Sequence, residues 1–331
     1  VYLFFFAALL HAWSHWYYMM AGLALYAFDK VTRMVHASRA VAVLHLSHAA
    51  GVTRLEVSAA ALRAAGHAAG QYAFVQVPAL GLFQWHPFTI SSPPAAAAGG
   101  HDGERVMTFH IKSNGLSTWT GALADLAATR PRLADLALSI DGPYGNAGHY
   151  YERDTVVLVA GGIGVTPMHA ILGDLHARAT APAQYGPLGA VKRVHFVWVV
   201  RETALLYTVA DTLAAVLRNT CGGTFVLHLA TTERKAAGAG ASSEGDGASA
   251  AVAAGFCTAA SAAAVRAATT TGRPDMRSLF ASIAAAVPPG FTGAPSDRVS
   301  VLTCGPSAMV DDISRLAFAH SFDFHSETFY F

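Results

Sequence analysis

The pattern of apolar and polar positions changes along the chain. From about Arg39 to Ile140 it forms short alternating runs: "AVAVLHLSH", "VTRLEVSA", "QYAFVQVP", "HPFTISS" and "RVMTFHIK", with Gly or Pro at most breaks. Alternation with period two turns one face of each run to a core and predicts a small antiparallel β-barrel. One helix is expected there, over Leu116–Ala127. From about Thr155 the runs become continuously apolar: "TVVLVA", "VHFVWVV", "TFVLHLA" and "RVSVLTC". Strands covered on both faces read this way. Helices are expected after "GGIGVTP", over Ala204–Leu217 and over Ser307–Phe318. Strand alternating with helix predicts a doubly wound parallel sheet.

Two segments stand apart. Residues 1–28 contain no Asp, Glu, Lys or Arg. They suit either one long membrane helix or the end of one span, a turn near His11–His15 and a second span from about Trp16. Trp13, Trp16, Tyr17 and Tyr18 resemble an interfacial belt, which favours the second reading. Lys30, Arg33 and Arg39 follow directly, so the rest of the chain is expected in the cytoplasm. Residues 236–271 are almost all Ala, Gly, Ser and Thr. So little apolar side chain offsets little ordering entropy, and the segment reads as a low-complexity insertion in a surface loop. The expected divisions are a membrane segment over 1–35, a barrel domain over 36–150 and an α/β domain over 151–331.

Charge narrows the partners. The net charge is +1, and no Lys/Arg run supports nucleic acid binding. Cys221, Cys257 and Cys304 are far apart and show no zinc spacing, so no metal site is expected.

The strongest chemical signal is Gly161, Gly162, Ile163, Gly164, Val165, Thr166 and Pro167. It follows a strand and opens a helix. Glycines there let backbone approach a pyrophosphate, and the helix N-terminus attracts its charge. Cys304, Gly305 and Pro306 fall where another buried strand ends, on the edge where such sheets bind ligands. That suits a place beside a nicotinamide ring. Arg201 ends the second parallel strand, where an arginine suits the 2′-phosphate of NADP, and Arg273 is a second candidate cation. Gly142 and Pro143, in "DGPYG", are expected to wall a cleft at the domain joint. Lys112 and the helix opening at "LSTWTG" could meet another phosphate. In "FQWHPFTISSPP", Pro87 ill suits a central strand. His86, Thr89, Ser91 and Ser92 would waste polar groups in a dry interior. The stretch is expected to show polar and backbone groups to a ligand.

Taken in order, these motifs resemble the cytoplasmic half of the ferric reductase and NADPH oxidase family. The match runs from "DKVTRMV" through "GQYAFVQVP", "FQWHPFTISSPP", "HIK", "TWTG", "DGPYG", "GGIGVTP", "VWVVRE", "GRPD" and "CGP" to "FHSETFYF". The resemblance implies a ferredoxin–NADP reductase-like fold, an antiparallel barrel followed by a doubly wound sheet. It implies FAD along His86, Pro87, Phe88 and Thr89, with Thr89 bonded to the isoalloxazine ring. His110, Lys112, Trp119 and Thr120 would lie near the FAD pyrophosphate, although the family's Arg is here Lys112. One of Phe329, Tyr330 and Phe331 would face the flavin. Electrons would pass from NADPH through FAD to a haem b in a membrane part outside this chain. The first reading is a ferric-chelate reductase; the alternatives are a superoxide-producing NADPH oxidase, with dioxygen as acceptor, and a soluble flavin reductase of the ferredoxin–NADP reductase kind. The implied setting is an integral protein in contact with membrane lipid, in the plasma membrane, with both cofactor domains cytoplasmic.

Overall fold

The computed structural model describes residues 3, 7, 15–37, 40–59, 66–94, 106–129, 132–133, 136–145, 149–233, 242–286 and 298–327. Helix α1 (His15–Ala37) leads into strands β1 (Val43–Ala49), β2 (Val52–Ser58), β3 (Tyr72–Gln76), β4 (His86–Thr89) and β5 (Val106–Lys112). Helix α2 (Trp119–Ala128) and β6 (Ser139–Tyr144) complete the first domain. The second runs β7 (Thr155–Gly161), α3 (Val165–Thr180), α4 (Pro182–Tyr185), β8 (Arg193–Val200), α5 (Ala210–Arg218) and β9 (Phe225–Thr231). It continues with α6 (Ser242–Ala253), α7 (Ala259–Ala268), β10 (Thr269–Thr271), α8 (Met276–Ala285), β11 (Val299–Cys304), α9 (Ser307–Ala319) and β12 (Asp323–Glu327).

Two antiparallel three-stranded sheets, β1-β2-β5 and β4-β3-β6, form the first domain. Backbone bonds join them, from Ser91 N–H to Thr108 O (2.9 Å) and from Val41 N–H to Leu138 O (2.8 Å). Leu55, Ile90, Phe109, Ile111, Leu123 and Leu138 fill the space between. Thr118 caps α2, its side chain accepting from Gly121 N–H.

The second domain is one six-stranded sheet in the order β10-β9-β8-β7-β11-β12, with every pair parallel. Alternate residues enter separate cores: Leu158, Phe196 and Trp198 on one face, Val157, Val197 and Val301 on the other. Both faces are covered, which explains the continuous apolar runs. Ala49, Val52 and Ala69 of the barrel share the first of these cores, so apolar packing continues across the domain joint.

One expectation needs correction. Over 236–271 the described part, from Ser242 onward, is not a loop: α6, α7 and β10 occupy it. Ala251, Phe256, Ala262 and Val265 are buried. Alanine is the best helix former, and the small surface of each helix suffices because a neighbour lies close; a Cβ on Gly247 would stand 2.8 Å from that of Ala204. The span expected over 1–35 begins in residues outside those described. Among the described residues no helix is long and apolar enough to cross a membrane. Helix α1 runs on through Asp29, Lys30 and Arg33, past the end of the apolar stretch. Of residues 1–14, only Leu3 and Ala7 are among those described.

Candidate functional site

The strand order reverses between β7 and β11, and the carboxyl ends of that pair are the usual ligand position in such sheets. Ala160 and Cys304 are in register there. Beyond β7 the chain makes one 3-10 turn, Gly162–Gly164, and enters α3 at Val165. The two loops nest backbone on backbone. A Cβ on Gly164 would lie 2.4 Å from Cys304 O, and one on Gly161 would lie 2.7 Å from Pro306 Cδ. Gly305 likewise leaves no room, with Met309 Cε 2.6 Å from where its Cβ would be. Trp198, wholly buried in β8, donates from Nε1 to Gly162 O at 2.9 Å and holds the turn. No side chain caps α3. Val165, Thr166 and Pro167 form its buried first turn. This end of the helix therefore presents backbone dipole without a resident side-chain acceptor, as an anion site requires.

Cys304 is 1% exposed. Burial, aided by Glu327, pushes its thiol up to about 12, so it is protonated at neutral pH. Arg201 follows β8 directly, and Arg273 comes two residues after β10; both are exposed. Both strands end on the same sheet edge, on either side of β9. The nearby acid Glu233 is already engaged, accepting from Thr203 N–H (3.2 Å) and Oγ1 (3.0 Å).

On the barrel, β4 splits the His-Pro-Phe-Thr run between two environments. His86 and Phe88 turn to Trp119, with ring centroids at 4.6 and 5.7 Å. Pro87 and Thr89 pair with Phe74 and Tyr72 across the sheet. Tyr72, Phe74 and Tyr144 form an aromatic cluster with centroids 5.7–5.9 Å apart. Thr89 is buried and Pro87 exposed. Lys112 ends β5 in solvent. The hydroxyl of Thr120 accepts from Asn114 N–H at 3.1 Å, bracing the loop before α2. Gly142 and Pro143 lie within β6, where Gly142 presses on Ala73.

Ser91, Ser92 and His110, expected to face a ligand, are engaged with protein in the domain joint. The Ser91 side chain bonds Thr108 O (3.0 Å) and His110 Nδ1 (2.7 Å), and Ser92 Oγ accepts from Thr108 N–H. Their carbonyls accept from two histidines: Ser91 O from His169 (2.6 Å) and Ser92 O from His67 (3.0 Å). Pro93 packs against α3 where Gly173 leaves room. Burial holds the His110 ring well below its ordinary pKa, helped by His169 and Arg54. Most polar groups of this stretch thus bond within the barrel, and Ser91 O alone among these bonds reaches the second domain, through His169.

His169, Trp198 and the Tyr72–Phe74–Tyr144 cluster were not singled out by sequence. The only signals were a histidine in an apolar helix, an indole in an apolar strand and aromatics at period two. Phe329, Tyr330 and Phe331 lie outside the described residues. Strand β12, just before them, aligns Glu327 with Cys304. A cavity of about 450 Å³ opens at the opposite, amino edge of the sheet, lined by Asp154, Lys192, His195 and Arg298 among others. The Asp154 carboxylate bonds Lys192 and Arg298 there, far from the loops described above.

These features fit two cofactors. At the carboxyl edge, Gly162 faces open space beside the uncapped start of α3, which suits a phosphate group. On the barrel, the buried His86 Nε2 and Trp119 Nε1 have no protein partner, which suits a polar ligand beside β4. A family profile described as the ferric reductase NAD binding domain matches residues 153–318. A second, an FAD-binding domain, matches 41–148. The chain belongs to the ferric reductase and NADPH oxidase family. The resemblance read from the ordered motifs is borne out. Respiratory burst oxidase homolog protein B of Solanum tuberosum is 28% identical over 95% of this chain. Human NADPH oxidase 3 is 30% identical over 61% of it. The chain spans only 38% and 34% of those two proteins. Among solved structures, a ferredoxin NADP+ reductase from Neisseria gonorrhoeae with bound FAD and NADP matches 87% of this chain, and the chain matches 97% of it, at a TM-score of 0.52 and 14% identity. A cytochrome P450 reductase from Amycolatopsis gives a TM-score of 0.52 at 19% identity, covering 88% of this chain and 69% of that one. The ferredoxin–NADP reductase-like fold follows. The two profiles make this chain the FAD-binding and NAD-binding domains of such a protein.

Proposed function

We propose that this chain receives reducing equivalents from NADPH at the carboxyl edge of the parallel sheet and passes them through FAD towards a membrane haem in a part of the protein beyond this chain, with dioxygen as final acceptor. The observation that supports the first step is the packing of Gly164 on Cys304, which brings two distant glycine loops together at the carboxyl edge of the sheet. FAD, when bound, supplies the exchange between two-electron and one-electron chemistry.

The chain's own residues bind, orient and exclude water. Gly161, Gly162 and Gly164, with the first turn of α3, hold a pyrophosphate. Arg201 and Arg273 meet the 2′-phosphate. The neutral Cys304 thiol, with Gly305 and Pro306, walls the nicotinamide position. On the barrel, Thr89 bonds the flavin ring, Pro87 and the Tyr72–Tyr144 cluster support it, and His86 and Trp119 offer their free nitrogens. Lys112 and the α2 N-terminus take the FAD pyrophosphate. One of Phe329, Tyr330 and Phe331 covers the flavin until nicotinamide arrives.

The sequence ranked ferric-chelate reduction first. Relatives named as oxidases, matched over nearly the whole chain, favour dioxygen instead. Ferric reduction stays as the second reading because the NAD-domain profile carries that description. The charge-free residues 1–28, followed by Lys30 and Arg33, support membrane attachment with both domains cytoplasmic. The test has two arms. Anaerobic NADPH should bleach flavin on the FAD-loaded chain; no bleaching overturns the first step. In membranes carrying the full-length protein, NADPH-driven cytochrome c reduction that superoxide dismutase suppresses supports the oxidase. Dismutase-insensitive ferrous iron formation from a ferric chelate, without superoxide, supports the reductase instead.

A further inference from the structure

The Ala-rich helix α6 ends in a well-formed C-terminal cap. Gly255 takes a left-handed conformation (φ +74°). Phe256 N–H bonds Ala251 O at 2.9 Å and Gly255 N–H bonds Val252 O at 3.0 Å. That pair of bonds, with glycine at the reversal and an apolar residue after it, is the Schellman arrangement. Such a cap turns its own last carbonyls outward, and here they meet the other domain. Arg54, on barrel strand β2, donates from Nη1 to Gly255 O (2.6 Å) and to Phe256 O (3.3 Å). Glu56 fixes the guanidinium by accepting from Nε at 2.9 Å. The Phe256 ring is buried and lies 6.0 Å from the ring of His110, whose neighbour is His169. The turn is anchored on its own domain too, since Asp211 of α5 accepts from Thr258 N–H at 3.1 Å.

We infer that the Gly255–Phe256 turn is an interdomain clamp, with Arg54 as its latch: a positioning device that fixes the FAD barrel against the NADPH domain. Two polar ties then reinforce the apolar packing across the joint. His169 holds Ser91 from α3, and the clamp holds β2 from α6. Apolar packing holds the two domains together, and directional polar ties at two separate places fix the orientation of the barrel. Arg54 acts through placement and touches neither proposed cofactor position. The kinetic part of this inference rests on the proposed hydride route from NADPH to FAD; the structural part does not.

The test compares the 331-residue chain with Arg54→Met, Arg54→Lys and Gly255→Ala. Gly255→Ala strains the turn from the other domain and leaves Arg54 and Glu56 intact. Amide exchange is read at residues 252–258 and along β2, with thermal unfolding as a folding control. Losing a charge-assisted hydrogen bond should speed exchange at 252–258 by about tenfold or more in Arg54→Met. Gly255→Ala should act in the same direction, and Arg54→Lys should recover part of the protection. Anaerobic stopped-flow with FAD-loaded protein should show flavin reduction slowed at saturating NADPH, with the half-saturating NADPH concentration little changed. Unchanged exchange in both Arg54→Met and Gly255→Ala overturns the clamp. Faster exchange with an unaltered reduction rate overturns its positioning role. If the parent chain itself shows no reduction by NADPH, the hydride route fails, and exchange alone decides the clamp.

Discussion

His169 Nδ1 lies 2.6 Å from Ser91 O, joining α3 to the segment that follows β4. A carbonyl only accepts, so Nδ1 carries the proton. Nε2 then accepts from the Thr212 hydroxyl at 2.8 Å. Burial holds the ring pKa down to about 4, which keeps this tautomer neutral. One side chain thus ties the segment after β4 to both α3 and α5.

Replacing it should loosen the joint. His169→Leu leaves a buried carbonyl unpaired, at a cost of about 1–3 kcal/mol read by urea unfolding at neutral pH. The folded pKa is depressed below the ordinary value of 6.5, so the unfolded state takes up the proton first. Stability is therefore complete above about pH 6.5 and falls as pH drops towards 4. This ring accounts for about 2 kcal/mol of loss by pH 5. His169→Leu should lose less stability than the parent between pH 7.5 and 5. An equal loss in both proteins would remove His169 from that acid response.

Gly164→Ala should be severe. The added methyl would sit 2.4 Å from Cys304 O, a backbone atom at the end of β11 that cannot easily give way. Overpacking of this kind costs about 1–3 kcal/mol. The midpoint of thermal unfolding should fall, and NADPH binding, followed by calorimetry, should weaken or vanish. Unaltered affinity would show that the two loops do not form a shared cradle.

The Cys304 thiol should be slow to alkylate in the native protein. It is 1% exposed, and burial with the Glu327 charge raises its pKa to about 12. Only the thiolate reacts. Cys221, partly exposed on a turn, should label first at pH 7.5, as peptide mapping after iodoacetamide would reveal. Cys304 labelling as fast as Cys221 would contradict its buried, protonated state.

Arg201→Ala should erode the preference for NADPH over NADH. Its guanidinium is exposed where β8 ends, and Glu233 nearby is already held by Thr203. A charge-assisted phosphate contact corresponds to about tenfold or more in the kcat/KM ratio of the two cofactors. Arg273→Ala should add to the effect. A ratio indifferent to both changes would place the 2′-phosphate elsewhere.

The sequence by itself determined the two-domain architecture, the alternation of its barrel strands and the two glycine loops at the carboxyl edge. Each of these is written locally: a period of two, a continuous apolar run, or glycines at a strand end. Only the tertiary structure decided what the polar groups of Ser91, Ser92 and His110 are for, and that the Ala-rich segment is packed helix. The reason is distance along the chain. Ser91 meets its histidine 78 positions away, and Arg54 meets the Gly255 carbonyl 201 positions away. No window of sequence contains both partners. The end of α6 did carry a local sign, a glycine followed by phenylalanine after a run of alanine. Its value as a cap became evident only once the barrel lay against it, because the free energy that settles an Ala-rich helix comes from the surface it meets and hardly from its own side chains.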